Sequence, residues 1–417
     1  MIGRAEGGGF LDTQYKVFGY RWIILAAIVP AIICTEMFWL TLAPVASLAA
    51  EYYGVGSMEI SMFSTSYMIM YILFTFPASW VIDKFGFRHS LTIGCLITAV
   101  FGVLRIIFAD HFGIVLVCQF AIAIGQPFLL NISTKVPANW FPLTERSIAS
   151  GILTMAQYLG FVVAMVLSPM LVEKNGIPLV YQVYGLIAFI CAVIAIAFTR
   201  ERPRIAPGPE AEKEDISIGS MLKLFKNKNF IYVLVIVFIS MGIFNTLLTL
   251  IETILKPRGL TMDQAGIVGA VFVVAGVIGA VVLPILSDKL HRRTPMFIAA
   301  ISLLVPLYLG LTYLSEYSLV ALVAGLAGFT VMGVAPILFQ HGAEVAYPVK
   351  EGTSFGLILL MGQISGFLFV VLFEAINSTV GSVTIPMLLV VAATVIEIPF
   401  TLRMKESLIL QSARDNQ

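Results

Sequence analysis

Twelve stretches of this sequence, each long enough as a helix to cross the roughly 30 Å hydrocarbon core of a bilayer, decide what the chain can become. They run at about 21–48, 58–82, 89–109, 112–136, 147–172, 178–198, 229–254, 263–286, 295–314, 317–342, 352–376 and 383–403. In hydrocarbon every backbone N–H and C=O must find a partner within the chain, which leaves helices or a closed barrel. The apolar runs are continuous rather than alternating in ten-residue segments, so helices are expected. Charge agrees: 12% of the 417 residues are Asp, Glu, Lys or Arg, and 59% are hydrophobic. That is about half the charge share of an ordinary soluble domain.

The organisation expected is a segment 1–20, a six-helix bundle 21–198, a linker 199–228, a second six-helix bundle 229–403 and a tail 404–417. Thr199 to Lys228 holds twelve charged residues in thirty together with Pro203, Pro207 and Pro209, the composition of a solvated linker. Within it Met221, Leu222 and Phe225 alternate with Lys223, Lys226 and Lys228, a pattern that suits either a short helix on the inner leaflet or plain loop. With both termini cytosolic, only Arg105, Lys174, Lys256 and Arg258 of the 25 Lys and Arg lie outside, as the positive-inside rule requires. Residues 1–20 contain Asp12 and Lys16 and no apolar h-region, so no cleavable signal is expected. Cys34, Cys95, Cys118 and Cys191 all fall in apolar runs without metal-ligand spacing and read as packing residues.

The halves repeat. Asp83-Lys84 before Arg88 recurs as Asp288-Lys289 before Arg293, an offset of 205. Phe141-Pro142-Leu143-Thr144-Glu145 recurs as Tyr347-Pro348-Val349-Lys350-Glu351, an offset of 206, and that register pairs Gln157 with Gln363 and Gly160 with Gly366. Eight of the 21 positions from Phe141 to Phe161 are identical in the second copy. Two parallel six-span repeats with a solute held at their interface is the plan of a carrier.

One stretch carries the chemistry: Cys34-Thr35-Glu36-Met37-Phe38-Trp39-Leu40-Thr41 inside the first span. Glu36 and Trp39, at i and i+3, share a helix face. An acid at this depth faces a cavity or a partner, and a carboxylate beside an indole suits a desolvated organic cation. The bland alternative is a core Trp packed under a Glu. Gln157 and Gln363, matched by the repeat, should face one central cavity; the alternative for either one alone is interhelical glue, and the match weakens it. The register sets Asn245 opposite Trp39 and Gly242 opposite Glu36, so the site is asymmetric. Glu252 and Glu374 lie near outer ends and read either as an outer gate or as side chains reaching the interface, Glu252 also as a substrate or proton contact. Glu344 and Glu397 lie near inner ends, within reach of Lys350 or Arg403. Glu145 and Glu351 read as helix caps, Arg105 as a snorkelling side chain and His341 as interfacial. No phosphate loop, His-Glu-x-x-His or nucleophile elbow is present, so no enzyme, cofactor or metal is expected.

Asp83-Lys84-Phe85-Gly86-Phe87-Arg88 resembles the signature loop of the major facilitator superfamily, which implies gate roles for Asp83 and Arg88 and, in the second copy, for Asp288 and Arg293. His291 replaces the glycine there. Ala343-Glu344-Val345-Ala346-Tyr347-Pro348-Val349-Lys350-Glu351-Gly352-Thr353-Ser354-Phe355-Gly356-Leu357, then Gly362-Gln363-Ile364-Ser365-Gly366, together with Cys34 to Trp39 and Ala156-Gln157-Tyr158-Leu159-Gly160, resembles the feline leukaemia virus subgroup C receptor family (solute carrier family 49). That family belongs to the major facilitators and moves choline and ethanolamine; heme export has also been assigned to it. The resemblance implies substrate contact for Trp39, Gln157 and Gln363. It places a span-seven aromatic at or beside Asn245, where it is missing, and Glu36 is an acid that the family pattern does not call for. A half-cage with a carboxylate suits a primary or secondary amine at least as well as choline.

The resulting expectation is an all-α protein of twelve transmembrane helices with the major facilitator fold. It would be a monomer in the cell membrane, with a small-molecule substrate and the lipid bilayer as its partners and no nucleic acid. It would carry a small organic cation by alternating access, with Glu36 as counter-charge, Trp39 as π platform, and Gln157, Asn245 and Gln363 at the polar end. An inside-negative potential supplies about 2.3 kcal/mol per charge per 100 mV, roughly fifty-fold accumulation, so facilitated diffusion suffices. Two rivals stand. One is a proton-coupled carrier or exporter of a neutral, anionic or lipophilic solute, heme included, with Glu36 as proton carrier. The other is a non-transporting receptor or sensor on the same scaffold.

Overall fold

The computed structural model describes residues 17–205, 207, 224–290, 293–347, 349 and 351–406, the side chains of 351–353 excepted. Among these residues there is no strand. Eleven helices are long and apolar enough to cross a membrane, and one of them, Arg146–Phe198, is two spans. It kinks where Asn175 leaves helical geometry and Gly176 takes a φ of +74°, a conformation that glycine adopts without steric cost. The described residues therefore form twelve spans, as the apolar runs require. The surface helix considered for Ile216 to Lys228 lies largely outside the described residues, as do His291, Lys350 and the side chain of Glu351.

The first run does not stay one helix. Span one, Tyr20–Trp39, ends at Trp39; a turn through Leu42 and a 3-10 turn at Ala43–Val45 lead into the short helix Ala46–Tyr53. Span seven, Lys228–Thr249, breaks in the same way before Ile251–Leu255. Both repeats thus break their first span on the outer side. Span two is Ser57–Phe85, span three Phe87–Ile107 and span four Phe112–Leu130. Spans eight to twelve are Met262–Leu290, Thr294–Tyr313, Tyr317–Val345, Glu351–Val380 and Thr384–Arg403.

Small residues let the spans approach closely. A Cβ on Gly328 would stand 1.9 Å from the Phe272 carbonyl oxygen, which fixes span ten against span eight. Between the bundles, span five meets span eight, where a Cβ on Gly266 would stand 2.2 Å from the Met165 carbonyl oxygen. Span two meets span eleven, where Ser57 Oγ donates to Glu374 Oε2 at 2.6 Å. The repeat exchanges five with eleven and eight with two, so these two contacts are images of each other.

Buried apolar side chains form one cluster running through both bundles in the outer half. The cytosolic halves hold separate clusters, one between Ile24 and Ala195 and the other between Leu224 and Met404. The bundles are packed together outside and apart inside.

Two side chains depart from the sequence reading here. Arg105 does not snorkel: it is fully buried, with Nη1 donating to Gln119 Oε1 at 2.7 Å and its guanidinium 4.2 Å from the Tyr181 ring centroid. Gln119 in turn donates to the Phe38 and Phe63 carbonyls at 3.0 Å each, pinning the end of span one to span two. Glu145 makes no side-chain cap; it holds Arg21 at the foot of span one, Nε to Oε2 at 3.1 Å. A guanidinium fork from span one offers the carboxylate more than its own helix terminus does.

Candidate functional site

Between the bundles, at the level where span one stops being helical, lies a cavity of about 180 Å³. Glu36, Trp39, Gln157, Asn245 and Gln363 all border it. Glu36 stands sixteen residues into span one, roughly 24 Å along the helix, and is 1% exposed. Its Oε1 accepts from Gln126 Nε2 on span four at 2.9 Å, and Gln126 Oε1 accepts from no donor among the described residues. Gly160 permits the arrangement: a Cβ there would lie 2.6 Å from Glu36 Cβ and 2.6 Å from the Ile33 carbonyl oxygen.

Trp39 is fixed rather than free. Its Nε1 donates to the Ser64 carbonyl at 3.0 Å, and Ser64 Oγ donates to the Trp39 carbonyl at 3.1 Å. Its ring meets Phe161 edge-on, centroids 5.0 Å apart, and Phe161 meets Tyr158 at 6.0 Å. On the opposite wall Asn245 Nδ2 reaches the Gly362 carbonyl at 3.5 Å, beside Gly366, whose Cβ would stand 2.6 Å from that nitrogen. Gly160 and Gly366 are 206 apart, so each bundle seats its first span on the same glycine of its fifth. The side-chain amides of Gln157 and Gln363 have no hydrogen-bond partner among the described residues and border the shared cavity instead of gluing helices together.

Span seven does bring an aromatic side chain to the cavity. Phe244, next to Asn245, borders the cavity with its ring 6.0 Å from Phe272. The cavity is wide enough for two successive residues of one helix, Phe244 and Asn245, to reach it. Gln126, Tyr158, Phe161 and Ser240 also border the cavity and were not singled out. A signal for the span-four wall existed: Gln126 and Met332 are 206 apart, and both border the cavity.

The remaining residues lie elsewhere. Glu252 is 3% exposed at the outer closure, accepting from Ser47 N at 3.0 Å and Ser47 Oγ at 2.5 Å. At the cytosolic face Asp83 pairs with Lys135 of its own bundle at 3.5 Å, and the Arg88 and Asp288 side chains are exposed. Arg293 is buried and pairs with Glu344 at 2.7 Å, the partner that Lys350 or Arg403 was expected to supply. The loops have acidic clamps of their own. Glu201 accepts from Phe87 N and Arg88 N at 3.1 and 2.7 Å; Glu406 accepts from Arg293 N and Thr294 N at 2.9 and 2.8 Å. A carboxylate at a helix N-terminus is favourable, and the two clamps are 205 apart, the offset of the loops. Glu397 does not reach Arg403: its Oε2 accepts from Ser240 Oγ at 2.9 Å, well inside the bundle. His341 is not interfacial but fully buried, its ring 5.8 Å from Phe297.

This fold and this cavity between two pseudo-equivalent bundles define a multi-pass membrane transporter. The sequence pattern of the Major Facilitator Superfamily matches residues 15–370, and the chain belongs to that superfamily. Within it the chain resembles solute carrier family 49. It is 27% identical to solute carrier family 49 member A3 of Xenopus tropicalis, over 87% of this chain and 79% of that one. It is 26% identical to the human choline/ethanolamine transporter FLVCR2, over 85% of this chain and 72% of that one. Among solved structures, a bacterial homologue of the human lysosomal transporter Spinster superposes with a TM-score of 0.77 at 17% identity, covering 93% of this chain and 97% of that one. The D-xylose-proton symporter gives 0.74 at 13% identity, covering 93% and 99%. Superfamily members are transporters, which is not an enzyme class.

Proposed function

We propose that this transporter carries a small organic cation, of the choline or ethanolamine type, across the cell membrane by alternating access as a monomer. One observation carries the reading. The cavity walls hold a buried carboxylate and the rings of Trp39, Tyr158, Phe161 and Phe244, and among the described residues that line it none is Lys, Arg or His. Such a chamber attracts positive charge and offers π faces to a poorly hydrated ammonium. The names of several relatives, choline/ethanolamine transporters, point the same way.

In this reading Glu36 is the counter-charge and Trp39, held by Ser64, the platform. Gln157, Gln363 and Asn245 hydrogen-bond the polar end, and Gln126 Oε1 offers a further acceptor to a substrate N–H or O–H. The cavity extends inward to Phe297, in the first turn of span nine at the cytosolic side. The outer side is held shut by Ser47–Glu252 and Ser57–Glu374. The carrier therefore rests open to the cytosol, and outward opening must break both serine–carboxylate contacts while Asp83, Arg88, Asp288 and Arg293 bring the inner ends together. Membrane potential is by itself sufficient to drive import.

The test is a thermal-shift and radioligand panel on the purified protein with choline, ethanolamine, further small amines and heme. Saturable stabilisation by the amines supports the reading. Stabilisation by heme or an anion alone overturns it.

A further inference from the structure

The cavity has a second acid behind its wall. Glu397, on span twelve, is 1% exposed, and its carboxylate is held by one hydroxyl, Ser240 Oγ at 2.9 Å. Ser240 borders the cavity; Glu397 does not. A buried carboxylate with so little support is costly and persists where it has work to do.

The repeat supplies an internal control. Ser240 and Glu397 lie 206 residues after Cys34 and Cys191, and in the first bundle the Cys34 thiol contacts Cys191 at the equivalent place. The contact between a bundle's first and sixth spans therefore packs well with two small, weakly polar side chains. The carboxylate in the second bundle is not required by the architecture.

Its surroundings define what it can bind. From span seven it meets Ser240, and from span nine Tyr308 lies nearby. Among the described residues no basic side chain pairs with it from spans seven, nine or eleven. Two oxygen-bearing side chains are too few to strip a metal ion of its water. A proton needs only one carboxylate oxygen and a path.

We propose that Glu397 is a proton-binding site of the carrier, reached from the cavity through the Ser240 hydroxyl. The hydroxyl passes its proton to the carboxylate and takes one from the cavity side, so the net change is one proton bound and one negative charge removed. The second bundle then carries the proton, while Glu36 in the first faces the substrate. The inference rests on the carrier reading but not on the identity of the substrate.

The test is pH-difference infrared spectroscopy of the purified full chain, which needs no substrate, followed by choline uptake into proteoliposomes with the membrane potential clamped. Wild type should show a protonated-carboxyl C=O band that E397Q removes, S240A shifts in frequency and E36Q leaves in place. E397Q should keep choline counterflow yet lose the several-fold response of uptake to an imposed pH gradient. The S240C/E397C variant, which copies the first bundle's pair, should fold and lack the same band. An E397Q spectrum identical to wild type overturns the proposal, as does failure of both variants to fold, which would make the acid structural. Absence of choline uptake by wild type would sink the substrate reading and leave the infrared result to decide this one.

Discussion

Gln126 Nε2 donates to Glu36 Oε1 across 2.9 Å, joining span four to span one at the cavity wall. The bond turns the carboxylate toward the chamber and supplies its sole side-chain donor among the described residues. Replacing Gln126 with Leu removes a hydrogen bond to a charged group, about 1.5–3 kcal/mol. Choline affinity in a scintillation proximity assay should change about 10- to 100-fold, while a neutral isostere of choline should be unaffected.

The indole face is the second contributor. W39A should weaken binding of a quaternary ammonium by about 2- to 30-fold, the range for a cation over an aromatic face, and W39F by less. Equilibrium dialysis with choline checks the order. Because the Trp39 N–H is engaged by Ser64, W39F should also loosen the junction of spans one and two, seen as a lower Tm.

Gly160 and Gly366 occupy equivalent places but face different obstacles. A Cβ on Gly160 meets the Ile33 backbone oxygen at 2.6 Å, which cannot swing aside; a Cβ on Gly366 meets the Asn245 amide at 2.6 Å, which can. G160A should lower stability by about 1–3 kcal/mol. G366A should keep most of its stability and instead alter substrate selectivity by displacing Asn245. Thermal unfolding and a competition panel separate the two.

Outer closure rests on Ser47–Glu252 and Ser57–Glu374. The S47A/S57A double variant removes two hydroxyl-to-carboxylate bonds of about 1.5–3 kcal/mol each, enough to shift a two-state population by roughly a hundredfold. Spin labels at the exposed outer positions His111 and Ser315 should report a longer distance in the variant than in wild type. An unchanged distribution would mean that the apolar contacts alone hold the outer side.

The sequence carried the fold because lipid leaves so few options: long apolar runs, the basic side and the 206-residue repeat leave one architecture. It carried the cavity's polar residues for a related reason, since Glu36, Gln157, Asn245 and Gln363 are polar in runs that tolerate few such groups. What stayed hidden needed the third dimension. Arg105 lies near a span end, where snorkelling is the local expectation, and its burial is explained by partners on other spans, the Gln119 amide and the rings of Phe38, Phe63 and Tyr181. Phe244 is one aromatic among thirty Phe, and nothing local separates a cavity Phe from a core one. The partners of Glu397 and Glu344 were misjudged because span-end proximity counts residues along one helix, whereas Ser240 and Arg293 approach from neighbours.

The most direct measurement is choline binding to the E36Q variant beside wild type, at several pH values. Gln keeps the shape and a bond to Gln126 but removes the charge. The account predicts at least a roughly tenfold loss of affinity for choline and ethanolamine. Unchanged affinity, with only the pH dependence of transport lost, would contradict it and make Glu36 a proton carrier for some other solute.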